Sequence, residues 1–359
     1  MVKPHSGKRI CILAAALLSL AVASAFARPG EDGARRVVFR TQTMGTWATL
    51  SLVTPDSAAV ADLAYAALRV FHRVDSLMSN WTDASEVARI NREAARGEVT
   101  LHPEVAGVIA FAQQVAEASG GAFDITVEPL VRLWGFLGGT PRVPAQREID
   151  AALDRVGPDK VRFDARAGTL RFTRDDVRID LGGIAKGYGA DAAAAVLRRA
   201  GITDALVDLS GNMVALGNAA THEGWTVGIR DPTGAFPYLA RLELHDEAVA
   251  TSGDYEQFVS ADGRRYGHIL DPRTGWSARG LMSVTVVAEG AMAADAWATA
   301  LFVLGPEPAR RLARARDDLA VVLIEPAPGG GLTIWVEERL RASFQAEDVA
   351  PGALTVRYF

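Results

Sequence analysis

Residues 179–191, IDLGGIAKGYGAD, place Lys186 between glycines at the point where a helix is predicted to begin. A strand-like run ends near Asp180, and the spacing that follows indicates a helix over about 183–200. Lysine is rare in this chain, because only Lys160 and Lys186 remain after residue 27. A rare lysine in a glycine-rich turn therefore needs a specific explanation.

The glycines around Lys186 allow two interpretations. Gly182, Gly183 and Gly187 let the backbone approach a ligand closely, and the start of a helix offers N–H groups to phosphate. A lysine there supplies a compact positive charge for phosphate oxygens. The segment matches neither G-x-x-x-x-G-K-[ST] nor G-x-G-x-x-G, so an ordinary phosphate loop or dinucleotide fold is not indicated. A glycine turn with an incidental lysine is the alternative.

Hydrophobic patterning on both sides of this segment predicts an α+β fold, with helices mainly in the first half and a β-rich second half. Residues 28–41 resemble a short charged leader, and a hairpin is expected to turn at Ala167-Gly168. Further helices are predicted over 57–78, 84–96, 103–118, 290–304 and 306–316. Strands are predicted at WATLSLV, ALVDLS, WTVGIRD, ARLELHD, AVATSG, YGHILD, MSVTVVA, LAVVLIE and LTIWV.

The first residues resemble an export signal. Basic residues precede the apolar run ICILAAALLSLAVASAFA, which ends in the small-x-small triplet at 25–27. We therefore expect a signal peptide over 1–27, a single domain over 28–359 and a periplasmic or other extracytoplasmic location. An uncleaved membrane anchor is the alternative, although the run is short for a membrane span.

Composition excludes several classes of function. The chain has 359 residues, of which 49% are hydrophobic, and its 43 acidic residues outnumber 38 lysines and arginines. With no long basic block, a nucleic-acid partner is not expected. The only cysteine, Cys11, lies within the predicted signal peptide. Thiol catalysis and cysteine-ligated metals are therefore excluded in the mature chain.

Residues 290–305, GAMAADAWATALFVLG, carry two oxygen-bearing side chains on an otherwise apolar helix. Asp295 and Thr299 are four residues apart and share one helix face. A buried carboxylate needs a partner, and a carboxylate with a hydroxyl suits Mg²⁺ when substrate phosphates complete its shell. The alternative is structural, with Asp295 as an N-cap and Thr299 bonded back to its own helix.

Residues 266–275, YGHILDPRTG, place His268 before a turn that opens at Asp271. His268 lies among turn-forming and polar residues, which makes it a candidate general base. A core histidine whose hydrogen bonds are satisfied is the alternative.

The segment GGAFDITVEPLVRLWGF, residues 120–136, places Asp124 and Thr126 on a turn flanked by glycine. Trp81 follows the long helix. Aromatic residues beside polar turns can stack on a ring system, and the alternative for Trp81 and Trp134, the commoner case for such residues, is plain core packing.

Seven segments together resemble the ApbE-type FAD:protein FMN transferases. They occur in order over roughly residues 40–305. The segments are TMGTWATLSL, LMSNWTDASEVARIN, GGAFDITVEPLVRLWGF, DLGGIAKGYGAD, VATSGDYEQF, YGHILDPRTG and ADAWATALFVLG.

The resemblance implies the α+β fold of that family, related to the T-fold, with a mixed sheet and flanking helices. It implies Mg²⁺-dependent transfer of the FMN half of FAD to a threonine or serine hydroxyl of a target protein, with release of AMP. The implied partners are FAD and an exported or membrane-bound acceptor protein with a flavinylation-type Ser/Thr motif. Association with a membrane would come through that target.

The resemblance also assigns residues by position. His268 matches a catalytic histidine, with Asp271 as a second candidate base, and Gly183, Asp295 and Thr299 match the metal site. Gly183 offers only its carbonyl as a ligand. The positions that match FAD contacts are Met44, Trp81, Ala122, Phe123, Asp124, Asp180, Lys186 and Ile269.

One segment departs from the family pattern, and two other functions stay open. GNMVALG has Asn212 where the family commonly has an acid. A hydrolase that splits FAD into FMN and AMP would share the same site, and a non-catalytic flavin-binding protein would need no metal.

Overall fold

The computed structural model describes residues 33–349 and 352–359, so the predicted signal peptide lies outside the described residues. The helices are α1 (Ser57–Met78), α2 (Glu86–Glu93), α3 (Pro103–Ala118), α4 (Glu128–Leu133), α5 (Gln146–Leu153), α6 (Ala185–Arg199), α7 (Ala291–Leu304) and α8 (Pro306–Arg314). None of the helices within these described ranges combines the length and the apolar composition needed to cross a membrane.

The strands follow the same chain order. They are β1 (Arg35–Thr43), β2 (Thr46–Thr54), β3 (Val99–Thr100), β4 (Val161–Asp164), β5 (Thr169–Phe172), β6 (Ala205–Leu209), β7 (Asn212–Leu216), β8 (Trp225–Arg230), β9 (Tyr238–Leu244), β10 (Ala248–Gly253), β11 (Phe258–Ala261), β12 (Arg264–Gly267), β13 (Ser283–Ala288), β14 (Leu319–Pro326), β15 (Leu332–Val336), β16 (Phe344–Ala346) and β17 (Leu354–Tyr358).

A large mixed sheet organises the fold. Within the described residues its nine strands run in the order β1-β2-β6-β7-β10-β13-β14-β15-β17, and among these neighbours only the β15–β17 pair is parallel. Three small sheets, β16-β9-β8, β3-β5-β4 and β11-β12, surround it. The predicted α+β class, with its β-rich second half, is therefore confirmed.

The large sheet is buried on both faces. Val284 and Val286 of β13 pack in the main core with α1, α6 and α7. Val287, next along the same strand, packs with Trp225 and Leu242 of β8 and β9 on the other face. This alternation follows from the two-residue period of a strand. It explains why β13 is a continuous run of buried residues.

A smaller core supports the turns that follow β12. Leu130 and Trp134 pack with Ile149 and Tyr266, so that α4 and α5 lie against this part of the chain. The indole Nε1 of Trp134 donates a hydrogen bond to the carbonyl of Gly275 at 2.9 Å. Trp134 is fully buried, which agrees with the core alternative for this residue.

Most predicted helices and strands are present, but the predicted charged leader is wrong. Within 28–41, residues from Arg35 onward form β1, an edge strand that pairs with β2 along nine residues. Met44 and Gly45 connect the two strands with φ angles of 50° and 71°, as in a type I′ hairpin turn. Adjacent Arg35 and Arg36 precede a continuous run of apolar residues at 37–39, so β1 shows no clear alternation of apolar and polar residues in the sequence. Helices α4 and α5 and strands β3, β7, β11, β16 and β17 were not predicted from the sequence.

Candidate active site

The segment before α6 places Lys186 in the second position of that helix. Its Nζ lies 3.3 Å from the carbonyl oxygen of Gly182 and 4.0 Å from Oδ1 of Asp295. The side chain remains 31% exposed, so the ammonium group can reach a ligand. This geometry favours a binding role over an incidental surface lysine.

Asp295 lies on α7 and is only 5% exposed. Its Oδ2 accepts a hydrogen bond from the backbone N–H of Gly187 at 2.9 Å. Burial raises the pKa of this carboxyl, while the charge of Lys186 and the bond from Gly187 oppose the rise. The carboxylate therefore has one anchored oxygen and one that faces the lysine.

The N-cap alternative for Asp295 is wrong. Helix α7 begins after Gly290, and Asp295 lies in its second turn. The first N–H groups of α7, those of Ala291 and Met292, donate instead to the carboxylate of Asp191 at 2.7 and 2.8 Å. Asp191 was not singled out in the sequence, because its capping role depends on the contact between α6 and α7.

The glycine at 187 has a different role from the one predicted. A Cβ at this position would lie 2.1 Å from the carbonyl oxygen of Ala291 and 2.8 Å from Cβ of Asp295. Gly187 thus permits α7 to pack closely on α6, and no ligand is needed to explain it. Its N–H is also occupied by Asp295, so it is not a free donor for phosphate.

The predicted metal ligands lie close together. A Cβ on Gly183 would be 3.3 Å from Oγ1 of Thr299, which lies one helical turn after Asp295 on α7. The hydroxyl of Ser252 lies 3.3 Å from the same Oγ1. Ser252 was missed as a site residue, although the sequence signal, the TSG of ATSGDYEQF, was visible.

The donor set at this position suits a hard cation. One carboxylate, hydroxyl groups and a backbone carbonyl are all oxygen donors, as Mg²⁺ prefers. Within the described residues no cluster of three or more His, Cys, Asp or Glu side chains could hold a metal by itself. A single protein carboxylate is expected where substrate phosphates complete the coordination shell.

His268 follows β12 and is partly buried. Its backbone N–H donates to the carbonyl of Gln257 at 3.0 Å, and its Nδ1 lies 3.3 Å from the same oxygen. A carbonyl can only accept, so Nδ1 carries the proton and Nε2 keeps its lone pair. Burial and the charge of Lys186 lower the pKa of His268 to about 4. The imidazole is therefore neutral near pH 7 and able to accept a proton.

Asp271, the second candidate base, is already engaged. Its two carboxylate oxygens accept hydrogen bonds from Nε and Nη2 of Arg273 at 2.8 and 2.9 Å. Asp271 also caps its own turn through the N–H of Arg273. A carboxylate held in this way is a structural residue, which leaves His268 as the candidate base.

Asp180 lies next to the lysine, but in irregular backbone rather than in the predicted strand. Its Oδ1 accepts from the N–H of Gly182 at 2.8 Å, and its own N–H donates to the carbonyl of Ile125 at 2.7 Å. Burial raises the pKa of Asp180, while hydrogen bonds from Gly182 and Asn80 and the charge of Lys186 lower it. Asn80 was missed in the sequence.

The three predicted FAD contacts at 122–124 lie in different surroundings. Phe123 lies near the metal-site residues, because its ring would be 3.3 Å from a Cβ on Gly183. Ala122 is buried. Asp124 instead accepts from the N–H and hydroxyl of Thr126 and lines a cavity of about 20 Å³ with residues of α3. Within the described residues, no hydrogen bond or ion pair joins the carboxylate of Asp124 to Lys186 or Asp295.

Three other predicted contact residues lie on separate segments. Trp81 is 69% exposed in the loop after α1, so the core alternative is wrong for it. Met44 lies at the β1–β2 turn, where its N–H donates to Asp75 at 3.4 Å. Ile269 is buried beside His268, and its carbonyl accepts from Ala278. Their assignment as FAD contacts stays a prediction.

The fold is that of the flavin transferases. The flavin transferase ApbE from Vibrio cholerae superposes with a TM-score of 0.78 at 30% identity, covering 86% of this chain and 99% of that one. Two FAD:protein FMN transferases are also similar. The Klebsiella pneumoniae protein is 31% identical over 89% of this chain and 92% of its own length. The Treponema pallidum protein is 36% identical over 75% and 76%.

The chain belongs to the ApbE family, whose family model matches residues 44–323. The resemblance seen in the sequence is thereby confirmed.

Proposed function

We propose that this protein catalyses the Mg²⁺-dependent transfer of the FMN moiety of FAD to a serine or threonine hydroxyl of an acceptor protein, releasing AMP. Flavin transfer to protein is the activity in the names of the relatives. The observation that carries the proposal is the position of Lys186. Its charge acts on both the Asp295 carboxylate and the His268 imidazole, so a cation, an acid and a base share one site.

Lys186 binds the pyrophosphate of FAD in this proposal. Among the described residues, the ammonium group has only the carbonyl of Gly182 within hydrogen-bond distance, which leaves donors for phosphate oxygens. Asp180 is held beside it by the N–H of Gly182 and provides an acceptor for hydroxyl groups of the ligand. A fixed cation stabilises charge that develops on the leaving AMP and on the transferred phosphoryl group.

His268 removes the proton from the acceptor hydroxyl. The hydroxyl oxygen bonds to the phosphorus of the FMN half, the bond from that phosphorus to the bridging oxygen breaks, and AMP leaves with the bridging oxygen. The proton moves to Nε2 of His268, whose Nδ1–H is held by the carbonyl of Gln257. A neutral imidazole is competent in this role near pH 7, because its pKa is lowered to about 4.

Asp295, Thr299 and the carbonyl of Gly183 would hold the Mg²⁺ ion. The ion, when bound, supplies positive charge to the phosphate oxygens of the substrate. The anchored Oδ2 of Asp295 fixes the carboxylate so that Oδ1 keeps its direction toward the site. Ser252 orients the hydroxyl of Thr299.

Aromatic and thioether side chains would contact the rings of FAD. Trp81 offers an uncovered indole face, and Met44 lies at a turn whose positive φ fixes its position. Phe123 lies beside Gly183.

We further propose that the enzyme is exported and acts outside the cytoplasmic membrane on an exported or membrane-bound acceptor. The basic start, apolar run and small-x-small triplet of residues 1–27 support this location. N-terminal sequencing of the native protein tests it. A mature chain that starts near Arg28 supports export, and an intact Met1 in a membrane fraction contradicts cleavage.

The activity is tested with purified protein, FAD, Mg²⁺ and an exported protein that carries a flavinylation-type Ser/Thr motif. Mass spectrometry should find FMN covalently bound to the acceptor, with one AMP per transfer. An acceptor variant whose target threonine is replaced by valine should stay unmodified. Formation of free FMN and AMP beside an unmodified acceptor would identify the enzyme as an FAD hydrolase instead.

A further inference from the structure

A surface cleft of about 680 Å³ lies beside the His268 segment, and no step of the proposed reaction uses it. Strand β12, the turn at 271–279 and the end of α7 form its walls. The residues that decide its chemistry are Arg264, Tyr266, Asp271, Arg273, Trp276 and Arg279.

The charge of this cleft is opposite to that of the whole chain. Three arginines line it against one aspartate, whereas the protein carries a net charge of −5. Arg273 is paired with Asp271. Within the described part of the chain, Arg264 and Arg279 have no carboxylate partner, and both are exposed. Two unpaired guanidinium groups on an acidic protein favour an anionic partner.

Two aromatic side chains line the cleft. Tyr266 and Trp276 lie 6.2 Å apart between ring centroids, and both contact the buried ring of Trp134. The guanidinium group of Arg279 lies over the ring of Tyr266 at 5.6 Å. Aromatic side chains with arginine are typical of the centre of a protein-binding surface.

Two residues that line the cleft flank the candidate base in the sequence. Tyr266 precedes His268 by two residues, and Asp271 follows it by three. The N–H of Asp271 donates to the carbonyl of Trp276, and the N–H of Ala278 donates to that of Ile269. A polypeptide bound in the cleft would therefore lie next to the segment that carries His268.

We propose that this cleft, formed by β12, the turn at 271–279 and the end of α7, docks an acidic segment of the acceptor protein. The inference rests on the proposed function, because an acceptor polypeptide must bring its hydroxyl group to His268. Carboxylates of the acceptor pair with Arg264 and Arg279, and its apolar side chains pack on the partly exposed Trp276. The flavin half of the reaction uses the separate position at Lys186.

Peptide binding tests the docking without any need for turnover. The probe is a short fluorescein-labelled peptide in which one threonine is flanked by aspartates, and its matched control carries asparagines instead. Fluorescence anisotropy with the full enzyme and FAD should show binding of the acidic peptide only. Added salt should weaken that binding, because exposed charges are screened.

Two double variants separate the cleft from general charge effects. Arg264→Glu with Arg279→Glu should weaken binding of the acidic peptide about ten-fold or more. Arg162→Glu with Arg311→Glu makes the same charge change on exposed arginines elsewhere and should leave it unchanged. The milder pair Arg264→Gln and Arg279→Gln should weaken binding less, and it replaces the first pair if that protein does not fold.

Three results would overturn the docking site. They are unchanged peptide binding in the folded cleft variants, equal binding of the asparagine peptide, and loss of FAD affinity in flavin fluorescence, which would assign the cleft to FAD. An enzyme that binds the acidic peptide through these arginines but never modifies an acceptor would instead refute the transferase activity alone.

Discussion

Asp295 on α7 accepts a hydrogen bond from the backbone N–H of Gly187 on α6 at 2.9 Å. A second contact joins the same helices with the roles exchanged: Asp191 on α6 accepts hydrogen bonds from the first backbone N–H groups of α7. Two carboxylates thus lock the two helices that carry Lys186 and the metal-ligand candidates. Because the same contact joins the helices and aims Asp295, packing and site geometry are linked in this protein.

The first prediction concerns the close approach of these helices. Gly187→Ala places a methyl group 2.1 Å from the carbonyl oxygen of Ala291, which is backbone and cannot rotate away. We expect the free energy of unfolding to fall by about 1–3 kcal/mol, the usual cost of overpacking a core. Urea denaturation monitored by circular dichroism measures this change.

Gly107→Ala is the matched control for this substitution. Gly107 also lies within a helix, α3, but a Cβ there has no atom within 4 Å. Alanine should therefore stabilise the protein by about 0.5–1 kcal/mol, because glycine loses more backbone entropy in a helix. If both variants changed stability in the same direction and by the same amount, the packing role of Gly187 would be wrong.

Much of the fold was predictable because its core elements have clear periodicity. Helix α1 begins and ends at the predicted residues, since its apolar positions repeat at helical spacing. Strand β1 was missed because its sequence, RRVVFRTQT, shows no clear alternation of apolar and polar residues. The short helices α4 and α5 bury few residues, so their pattern in the sequence is weak.

The candidate site was predictable in its residues but not in its contacts. Asp295 and Thr299 share a helix face in any helix, which the sequence alone determines. The partner of Asp295 is 108 positions away in the chain, at Gly187, and no local pattern indicates it. For the same reason Ser252 was missed, because its contact with Thr299 joins β10 to α7.

The second prediction concerns Lys186. Lys186→Met keeps the length of the side chain but removes its charge, so kcat/KM for FAD should fall by roughly ten- to a hundred-fold, the scale of one charge-assisted contact. The pKa of His268 should also rise in this variant, because the charge of Lys186 lowers it in the wild-type protein. Steady-state kinetics and NMR titration of the imidazole measure the two effects.

Lys160→Met is the control, because Lys160 forms an ion pair with the exposed Asp159. A surface pair of this kind contributes little, so its kinetics should match wild type. Wild-type kinetics in the Lys186 variant would instead return that lysine to an incidental surface role.

The third prediction concerns pH. His268 has a pKa lowered to about 4, so the rate should keep its full value as pH falls through 6.5 and decline only near 4. His268→Gln should reduce the rate roughly 10²- to 10⁴-fold, the usual contribution of a general base. A pH–rate profile with an acid limb near 6.5 would contradict the lowered pKa.

The same residue affects stability with a defined sign. Because the pKa of His268 is lower in the folded state, the unfolded chain binds a proton first as pH falls. As pH falls from about 6.5 to about 4, the free energy of unfolding of wild type should decrease relative to that of His268→Gln. Below about pH 4 the difference between the two proteins should stay constant. Buried acids with raised pKa, such as Asp208, act in the opposite direction in both proteins and cancel in the comparison.

The last prediction tests the metal site at Asp295. Asparagine at this position can still accept the N–H of Gly187, but it removes the charge that Mg²⁺ requires. Asp295→Asn should therefore remain folded, with an unchanged or raised melting temperature without metal, since a buried carboxylate is unfavourable. Half-maximal AMP release should need at least about ten-fold more Mg²⁺, the scale of one lost charge-assisted contact.

Thr299→Val keeps the side-chain shape and removes the hydroxyl that contacts Ser252. It should also raise the Mg²⁺ concentration needed for half-maximal AMP release, but by less than Asp295→Asn does. The double variant with Asp295→Asn should show less than the sum of the two effects, because both residues would serve one ion. The Mg²⁺-dependent rise in melting temperature gives a readout independent of turnover, and it should shrink in the same order. An unchanged Mg²⁺ requirement in folded Asp295→Asn protein would remove Asp295 from the metal site, and an additive double variant would separate Thr299 from it.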